Sequence, residues 1–403
     1  IPTPYYDSND GLASRLLLNQ GNLKFKESIA NSGVAAKARR RNRSSSIVDL
    51  DQDGSIDLVL TNNFGRVDVF SGDGEGLLED RSSEWLDKAE MLGAAHLISD
   101  FNRDGRLDLF AFAKASEFAK QLEASGVSRE GFEESEAKRS NMMSGSRLWF
   151  GQGDGEFDRF EDGGSFSRSG WIHGAAEIDF NNDGMPDVYL TNGYISKETA
   201  RDYEERFWRH DLYDSESESK ADIARHIATD GPGRFIKENN QSWAPFQKNQ
   251  LWANFGEDGF VDIAYLMGVS RELDGRATVA VDLNQDGKPD LISLEIDSVE
   301  HELNVKILEN TMVRVGNWIG VQLKPAKKRS TAGARVRLIG EDFETVKANV
   351  FGDAYSAQTS SMLHFGIGSA SSVKAIEIVW ADGVVSRITS PGINRYHAIV
   401  PGD

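Results

Sequence analysis

Strands and tight turns dominate the pattern of apolar and polar residues in this chain. Ile56, Leu58 and Leu60, for example, alternate with Asp57 and Val59, and this period of two predicts a strand. A second marker, an apolar stretch followed by a Gly-rich turn and another apolar residue, predicts β-hairpins. It occurs four times, at residues 17–25, 69–77, 149–157 and 252–260.

A nine-residue acidic segment alternates with these turns, at residues 49–57, 100–108, 179–187 and 282–290. Its frame is D-Φ-[DN]-x-D-G-x-x-D, in which Φ is apolar. Oxygens at positions 1, 3 and 5 converge when the segment curls, because the Gly at position 6 permits a sharp turn. The carbonyl at position 7 and the Asp at position 9 would complete a shell of hard oxygen ligands, which suits Ca²⁺.

The frame therefore predicts about four calcium sites. The alternative is four acidic surface turns without a metal. Repetition in one register favours calcium, as does the repulsion among the four carboxylates of the first segment. The segments are not EF-hands, because position 12 lacks the bidentate Glu of that motif. The predicted ligands are Asp49, Asp51, Asp53, Ser55 and Asp57; Asp100, Asn102, Asp104, Arg106 and Asp108; Asp179, Asn181, Asp183, Met185 and Asp187; and Asp282, Asn284, Asp286, Lys288 and Asp290.

The alternating order of turns and acidic loops predicts units of two hairpins, or four strands each, which is one blade of a β-propeller. Three units are complete in the sequence. A closed ring could form if N-terminal strands complete the blade that begins near Asp282. The expected number of blades is about four or five.

These loops and turns resemble the FG-GAP/VCBS repeats of integrin-like propellers over roughly residues 12–312, apart from two insertions. From about residue 317 the pattern changes to short alternating strands, at 317–323, 333–338, 355–359, 364–368 and 375–383. This segment resembles the ASPIC/UnbV domain that follows FG-GAP repeats in the cartilage acidic protein-like family. The expected fold is all-β, with a propeller at 1–312 and a small sandwich-like domain at 313–403.

The two insertions cover residues 112–145 and 195–248 and contain helical patterns. In the second, 198–210 and 221–227 predict helices, separated by an acidic, solvated stretch at 214–219. Both insertions follow a strand that leaves an acidic loop, so we expect them on the same face of the disc. They would be either decoration on that face or a lid over a binding site.

Two histidines, His96 and His173, lie just upstream of the second and third loops, in strands expected to line the central channel. They would be packed core residues, or a site for a transition metal or a general base. His210 and His226 of the second insertion could reach the same face. The basic run at 37–43 would bind an anionic partner or balance the neighbouring aspartates.

The formal net charge is −19, and the four loops contain 13 of the acidic residues. This balance argues against binding to nucleic acid. The chain has no Cys, and no stretch predicts a membrane span. Loops of this kind fill at millimolar calcium, which favours an extracellular or periplasmic location. The sequence thus predicts a secreted calcium-binding scaffold for protein or glycan recognition. The alternative is a secreted metalloenzyme with its site around His173 and the insertions.

Overall fold

The computed structural model describes residues 9, 11–29, 32–128, 130, 133–209, 240–297, 302–326 and 330–400. Most regular structure in this part of the chain is antiparallel β-sheet with a few short helices, which confirms the all-β prediction. The predicted helix at 221–227, the acidic stretch at 214–219, His210 and His226 lie outside the described residues.

The N-terminal strands form a separate two-stranded hairpin of β1 (Leu17–Asn19) and β2 (Phe25–Glu27). These described N-terminal strands do not complete the sheet that begins near Asp282, so they do not take the expected route to ring closure. The hairpin lies instead beside the first repeat sheet, where Leu16 packs with Leu60, Phe70 and Leu78. The side chain of Leu18 also lies against the turn at Gly76.

Each acidic loop joins the first two strands of an antiparallel sheet, as predicted. Three sheets have four main strands in chain order, and the fourth sheet has three described strands. The first sheet contains β3 (Asn42–Val48), β4 (Asp57–Asn62), β5 (Gly65–Gly72) and β6 (Leu78–Asp80), with β7 (Glu90–Met91) paired to β5. The second contains β8 (Gly93–Ser99), β9 (Asp108–Ala113), β10 (Arg147–Gly153) and β11 (Glu156–Arg159). The third contains β12 (Ile172–Ile178), β13 (Asp187–Asn192), β14 (Gln250–Asn254) and β15 (Phe260–Asp262), and the fourth contains β16 (Asp274–Val281), β17 (Asp290–Ile296) and β18 (Leu303–Leu308).

The first strands of the four sheets pack next to one another in the order β3, β8, β12 and β16. Apolar cores fill the spaces between successive sheets. Val48 and Val69 of the first sheet, for example, share a core with Ile98 and Trp149 of the second. Phe110 of the second sheet and Trp252 of the third share the next core, with ring centroids 6.0 Å apart. The sheets therefore stand side by side with their first strands adjacent to one another.

The predicted helical insertions are confirmed where they are described. Helix α2 (Glu117–Ala124) begins at Ser116, whose side chain accepts a hydrogen bond from the Ala119 amide in an N-cap. Besides α1 (Ser82–Trp85), the other α-helices are α3 (Glu133–Met142), α4 (Glu204–Arg209) and α5 (Ala264–Met267). Helix α4 begins six residues after residue 198, where the sequence predicted its start. The amide and hydroxyl of Ser196 donate hydrogen bonds to the two carboxylate oxygens of Asp274.

The two insertions pack together at the ends of the sheets that face away from the acidic loops. They share a core in which Leu122 and Met142 of the first insertion meet Tyr203, Trp208 and Trp243 of the second. This arrangement agrees with the expectation that both insertions lie over one face. Short 3-10 helices lie at Gly33–Lys37, Phe166–Arg168 and Gly256–Asp258.

Two further sheets follow at the C-terminus around their own core, which includes Phe365 and Trp380. Strands predicted near 317, 333, 364 and 375 are present, whereas the expected strand at 355–359 is absent, because these residues form turns. The three-stranded sheet has the order β22 (Met362–Gly368), β19 (Asn317–Leu323), β25 (Arg395–Ile399). The four-stranded sheet has the order β21 (Glu344–Ala348), β20 (Arg335–Ile339), β23 (Ala375–Val379), β24 (Val385–Thr389).

The chain after β21 does not form the expected strand at 355–359. It runs instead along β3 and β8, the first strands of the first two repeat sheets. Its carbonyl groups at Gly352 and Asp353 accept hydrogen bonds from the amides of Ser45 in β3 and His96 in β8, at 3.2 and 3.3 Å. Val350 packs in the same core as Val48 and Ile98. The C-terminal region is therefore anchored against the first strands of the first two repeat sheets.

Candidate metal-binding loops

All four acidic loops have the same backbone curl. The residue at position 4 lies in the left-handed region, with φ between 58° and 66°, and the Gly at position 6 has φ between 82° and 97°. Two positive φ values so close together reverse the chain direction sharply. Gly adopts a positive φ at the least energetic cost, which accounts for its place at position 6. The position-4 residues are Gln52, Arg103, Asn182 and Gln285.

The Asp at position 1 is the acceptor around which each loop curls. One of its oxygens accepts a hydrogen bond from the amide of the position-6 Gly, at distances from 2.8 to 3.2 Å. The four pairs are Asp49 with Gly54, Asp100 with Gly105, Asp179 with Gly184 and Asp282 with Gly287.

The Asp at position 9 has a structural role that sequence reasoning missed. Its Oδ2 accepts from the amide at position 2, and its Oδ1 accepts from an amide at the end of the third strand of the sheet. Asp57 thus joins Leu50 at 2.7 Å to Gly72 at 3.0 Å. The other three are Asp108 with Phe101 and Gly151, Asp187 with Phe180 and Asn254, and Asp290 with Leu283 and Asn310.

Burial makes negative charge costly in these loops. It raises the pKa of Asp57 to about 7, of Asp100 to about 6, of Asp179 to about 7 and of Asp187 to about 9. Neighbouring carboxylates raise these pKa values further, and hydrogen bonds from backbone amides oppose the shift. The pKa of Asp108 is also well above its ordinary value for the same reasons. A bound cation would offset this cost.

The first loop fits a divalent cation most directly. Asp49, Asp51 and Asp57 each offer a carboxylate oxygen, and these oxygens lie within 4.8 Å of one another. The Oδ1 atom of Asp49 is buried and has no hydrogen-bond partner. Because a buried, unpartnered carboxylate oxygen is costly, this atom is an available ligand.

Position 7 distinguishes the loops from one another. The Arg106 Nη2 lies 2.6 Å from Asp104 Oδ2, and the Lys288 Nζ lies 2.9 Å from Asp286 Oδ2. The second and fourth loops therefore carry an internal cation that partly neutralises the position-5 carboxylate. Ser55 and Met185 occupy this position in the other two loops. In every loop the position-7 amide donates to the position-5 carboxylate.

Asn stands at position 3 in three loops. In the second and third loops its side-chain oxygen accepts from the position-5 amide, and its Nδ2 donates to the position-5 carboxylate, so it closes the curl. In the fourth loop Asn284 Oδ1 makes the same contact with the Asp286 amide, and its Nδ2 is 3.4 Å from Glu309. Asp51 holds this place in the first loop.

The C-terminal domain contacts all four loops. Arg335 lies 3.0 Å from Asp49 in the first loop, and the Val346 amide donates to Asp100 in the second at 3.2 Å. The remaining contacts are between His364 Nε2 and Asn182 Oδ1 at 2.7 Å in the third loop, and from the Tyr396 hydroxyl to Asp282 Oδ2 in the fourth. The acidic loops thus form the surface on which the C-terminal domain docks. A cavity of about 90 Å³ remains beside this surface.

The predicted histidine pair has two different environments. Both ring nitrogens of His96 are bonded to hydroxyls, Nδ1 to Ser44 and Thr61 and Nε2 to Ser46. Burial lowers its pKa to about 3, so it is a neutral core residue. His173 is also buried, but its Nε2 has no partner. The hydroxyl shell leaves His96 no free nitrogen for a metal shared with His173.

His173 belongs to a cluster of polar and aromatic side chains that is separate from the acidic loops. It precedes the third loop by six residues and is therefore about 20 Å from it along the strand. Its ring is 5.4 Å from Tyr194 and 5.9 Å from Tyr355, centroid to centroid. We call this group the aromatic–cationic cluster; its members are Arg43, Lys114, His173, Tyr194, Arg276 and Tyr355.

Two of the five basic residues in the run at 37–43 pair with carboxylates of the first sheet. Lys37 lies 2.8 Å from Asp68 and 2.6 Å from Asp80, and Arg40 lies 3.4 Å from Asp68. These aspartates are different from those of the first acidic loop. Arg43, the last residue of this run, extends to the aromatic–cationic cluster, where its Nη1 is 3.2 Å from the Tyr355 hydroxyl.

Comparison with known proteins agrees with these features. Residues 49–111 match the model of the FG-GAP-like repeat, and residues 324–403 match the model of ASPIC and UnbV. No curated protein matches the chain. In the described part of the chain, no helix is long and apolar enough to cross a membrane. The chain therefore joins FG-GAP-like repeats to a C-terminal ASPIC/UnbV domain.

Proposed function

We propose that the four acidic loops bind Ca²⁺. The observation that carries this proposal is the fourfold recurrence of one curl whose side-chain ligands are all oxygens. Positions 1, 3, 5 and 9 would contribute side chains and position 7 a carbonyl, in the arrangement predicted from the sequence. Bound calcium would supply the positive charge that the buried carboxylates of the loops lack.

The repeat sheets are proposed to form a β-propeller. Each is an antiparallel meander, the first strands of successive sheets pack against one another, and successive sheets share apolar cores. This is the way propeller blades are arranged around an axis. The position-9 Asp ties the loop to the third strand of each sheet, so calcium there would stabilise a whole blade.

The proposed role of this scaffold is recognition of a protein or glycan outside the cytoplasm. Millimolar calcium in extracellular or periplasmic fluid would fill the loops. One end of the sheets is occupied by the C-terminal domain, so the insertion-covered end is the face for a ligand. Adhesive propellers of similar repeats supply the analogy for recognition.

The alternative of a metalloenzyme around His173 has one observation in its favour, the free Nε2 of that residue. The charges nearby oppose it. Lys114, Arg276 and Arg43 all lower the pKa of His173, after burial, and positive charges of this kind repel a metal cation. We therefore place recognition ahead of catalysis.

Thermal unfolding in calcium and in EGTA tests the proposal. We expect calcium to raise the melting temperature by about 5 °C or more, because it binds only the folded loops. Elemental analysis should find calcium, with one site fewer in Asp53→Ala. An identical melting curve in EGTA and in calcium would contradict structural calcium, and a stoichiometric transition metal would favour the enzyme.

A further inference from the structure

Positive charge is concentrated without a counter-ion at the aromatic–cationic cluster. The chain carries a formal charge of −19, and many of its basic side chains lie within ion-pair distance of a carboxylate. Arg43, Lys114 and Arg276 make no such pair with any described residue. The positive charges of all three lower the pKa of the same buried imidazole, that of His173.

Lys114 is the most unusual of the three cations. It is only 4 % exposed, its Nζ is 3.4 Å from the Asn63 Oδ1, and it lies 5.7 Å from the centre of the Trp171 ring. Burial, with a further contribution from Arg43, lowers its pKa to about 7. Burying an ammonium group is costly unless an anion accompanies it. No carboxylate in the described part of the chain does so.

Arg276 is held in place by backbone groups. Its guanidinium donates to the carbonyls of Gly193, Tyr194 and Gly275 and lies 5.6 Å from the centre of the Tyr194 ring. Burial lowers the pKa of Arg276. The nearest acid in sequence, Asp274, opposes this shift, but both oxygens of that carboxylate accept hydrogen bonds from Ser196. The guanidinium is therefore oriented without being neutralised by a direct ion pair.

His173 supplies a hydrogen-bonding atom in the same place. It is 6 % exposed and lies between the rings of Tyr194 and Tyr355, and its Nε2 is buried without a partner. A neutral imidazole can carry its proton on Nε2 and donate it to an oxygen. The innermost part of the cluster thus combines a free donor with a buried cation.

We propose that the aromatic–cationic cluster binds the oxyanion of a small acidic ligand, either a carboxylate or a sulfate group. Lys114 and His173 would contact the anion from the buried side, and Arg43 and Arg276 from the more open side. Arg43 is exposed, while Tyr194, Arg276 and Tyr355 are half-buried, so the group is open to solvent at one edge. This inference names the ligand class for the recognition role proposed above and rests on it.

The rings give a reason to expect an organic acid. Trp171, Tyr194, His173 and Tyr355 form a chain of neighbouring rings, with Trp171 and Tyr194 stacked at 6.3 Å. Aromatic faces commonly contact the apolar faces of sugars and other cyclic ligands, whereas a free inorganic ion would use only the cations. An acidic sugar satisfies both parts of the cluster.

Isothermal titration calorimetry of the whole chain in calcium buffer tests this proposal. The probes are sodium glucuronate, sodium sulfate and glucose, the last being the uncharged analogue of the first. We expect glucuronate to bind, glucose not to bind, and affinity for glucuronate to fall by about tenfold or more in Lys114→Met. Sulfate binding that is lost in the same variant would show that the oxyanion alone is recognised. Glucuronate binding without sulfate binding would assign the sugar carboxylate.

Two further variants keep the test independent of folding. Arg43→Gln alters an exposed side chain and should also weaken glucuronate binding, whereas Lys248→Met, which removes a surface lysine paired with Glu272, should not. Glucuronate and sulfate that fail to bind, or that bind Lys114→Met as well as the unaltered chain, would overturn the proposal. Calcium-dependent melting is measured separately, so failure of the calcium proposal and failure of this one give different results.

Discussion

Gly287 shows how closely the repeats and the C-terminal domain fit at the scale of single residues. It occupies position 6 of the fourth loop with φ +85°, and a Cβ atom there would lie 1.9 Å from the Nε1 of Trp318. Gly54 occupies the same position of the first loop with φ +97° and has no atom within 4 Å of that point. The same loop position therefore carries a backbone constraint in both loops and a steric constraint in one.

These two glycines form a matched pair for mutation. Gly54→Ala should cost about 1 kcal/mol of unfolding free energy, because only its positive φ is penalised. Gly287→Ala should cost about 3 kcal/mol, because Trp318 must also move. Thermal melts followed by tryptophan fluorescence would measure both, and equal losses in the two variants would contradict the close contact with Trp318.

At this scale the sequence predicted the residues of the loops but not their partners. The spacing of Asp and Gly was sufficient to locate the curls, since those contacts join residues at most nine positions apart. The contact between Asp49 and Arg335, or between Asp100 and Val346, joins residues more than 200 positions apart. No local pattern marks such a pair, so it became visible only in the folded chain.

At the scale of elements, the insertions behave as a unit of their own. Trp208 of α4 is fully buried in the core that joins the two insertions, and its Nε1 donates to Glu204 at 3.0 Å. The amphipathic pattern predicted helices here, but α4 is shorter than expected because residues 195–203 are held by Asp274 and by the bridge between Ile195 and Trp243. Likewise, residues 355–359 have a strand-like sequence but form turns, and Tyr355 among them lies beside His173.

Trp208→Ala should therefore loosen the insertions without releasing the acidic loops. Removing a large buried side chain costs about 3–5 kcal/mol, and here the cost falls on a local cluster. Hydrogen exchange should rise in residues 117–142 and 203–208 while calcium stoichiometry is unchanged. Tyr265→Ala, which removes an exposed ring, is the control. Loss of calcium in the Trp208 variant would show that the two ends of the sheets are coupled.

At the scale of the whole molecule, the loops of four sheets and one C-terminal domain meet at a single interface. Two consequences for charge follow. Without a metal, the raised pKa values of the loop carboxyls mean that the folded chain would hold protons that the unfolded chain releases, and Arg335 of the C-terminal domain lies beside Asp49 of the first loop.

The stabilisation by calcium should increase with pH. In EGTA, the folded chain keeps protons on Asp57, Asp100, Asp179 and Asp187 up to pKa values of about 6 to 9, whereas the unfolded chain releases them near pH 4. The unfolded state thus binds fewer protons, and stability in EGTA falls as pH rises through this window. The difference in melting temperature between calcium and EGTA should widen from about pH 5 to about pH 8. A difference in melting temperature that stays constant with pH would contradict this prediction.

Arg335→Met should strengthen calcium binding in the first loop by about tenfold, because the guanidinium beside Asp49 repels a second cation. Arg337→Met is the control, since Arg337 pairs with Glu344, outside the first loop. Calcium titration of the two variants measures the effect. Weaker calcium binding in the Arg335 variant would mean that docking of the C-terminal domain orders the loop more than it competes with the ion.

The shared interface also bears on how the sites would respond as calcium becomes available. One domain that touches all four proposed calcium sites would make each site sensitive to the others, because an ion that orders one contact would also order its three neighbours through the common partner. Filling would then be a concerted event with a threshold. Above that threshold all four contacts between the loops and the C-terminal domain would be ordered, and below it the domain would be loosely held against the repeat sheets.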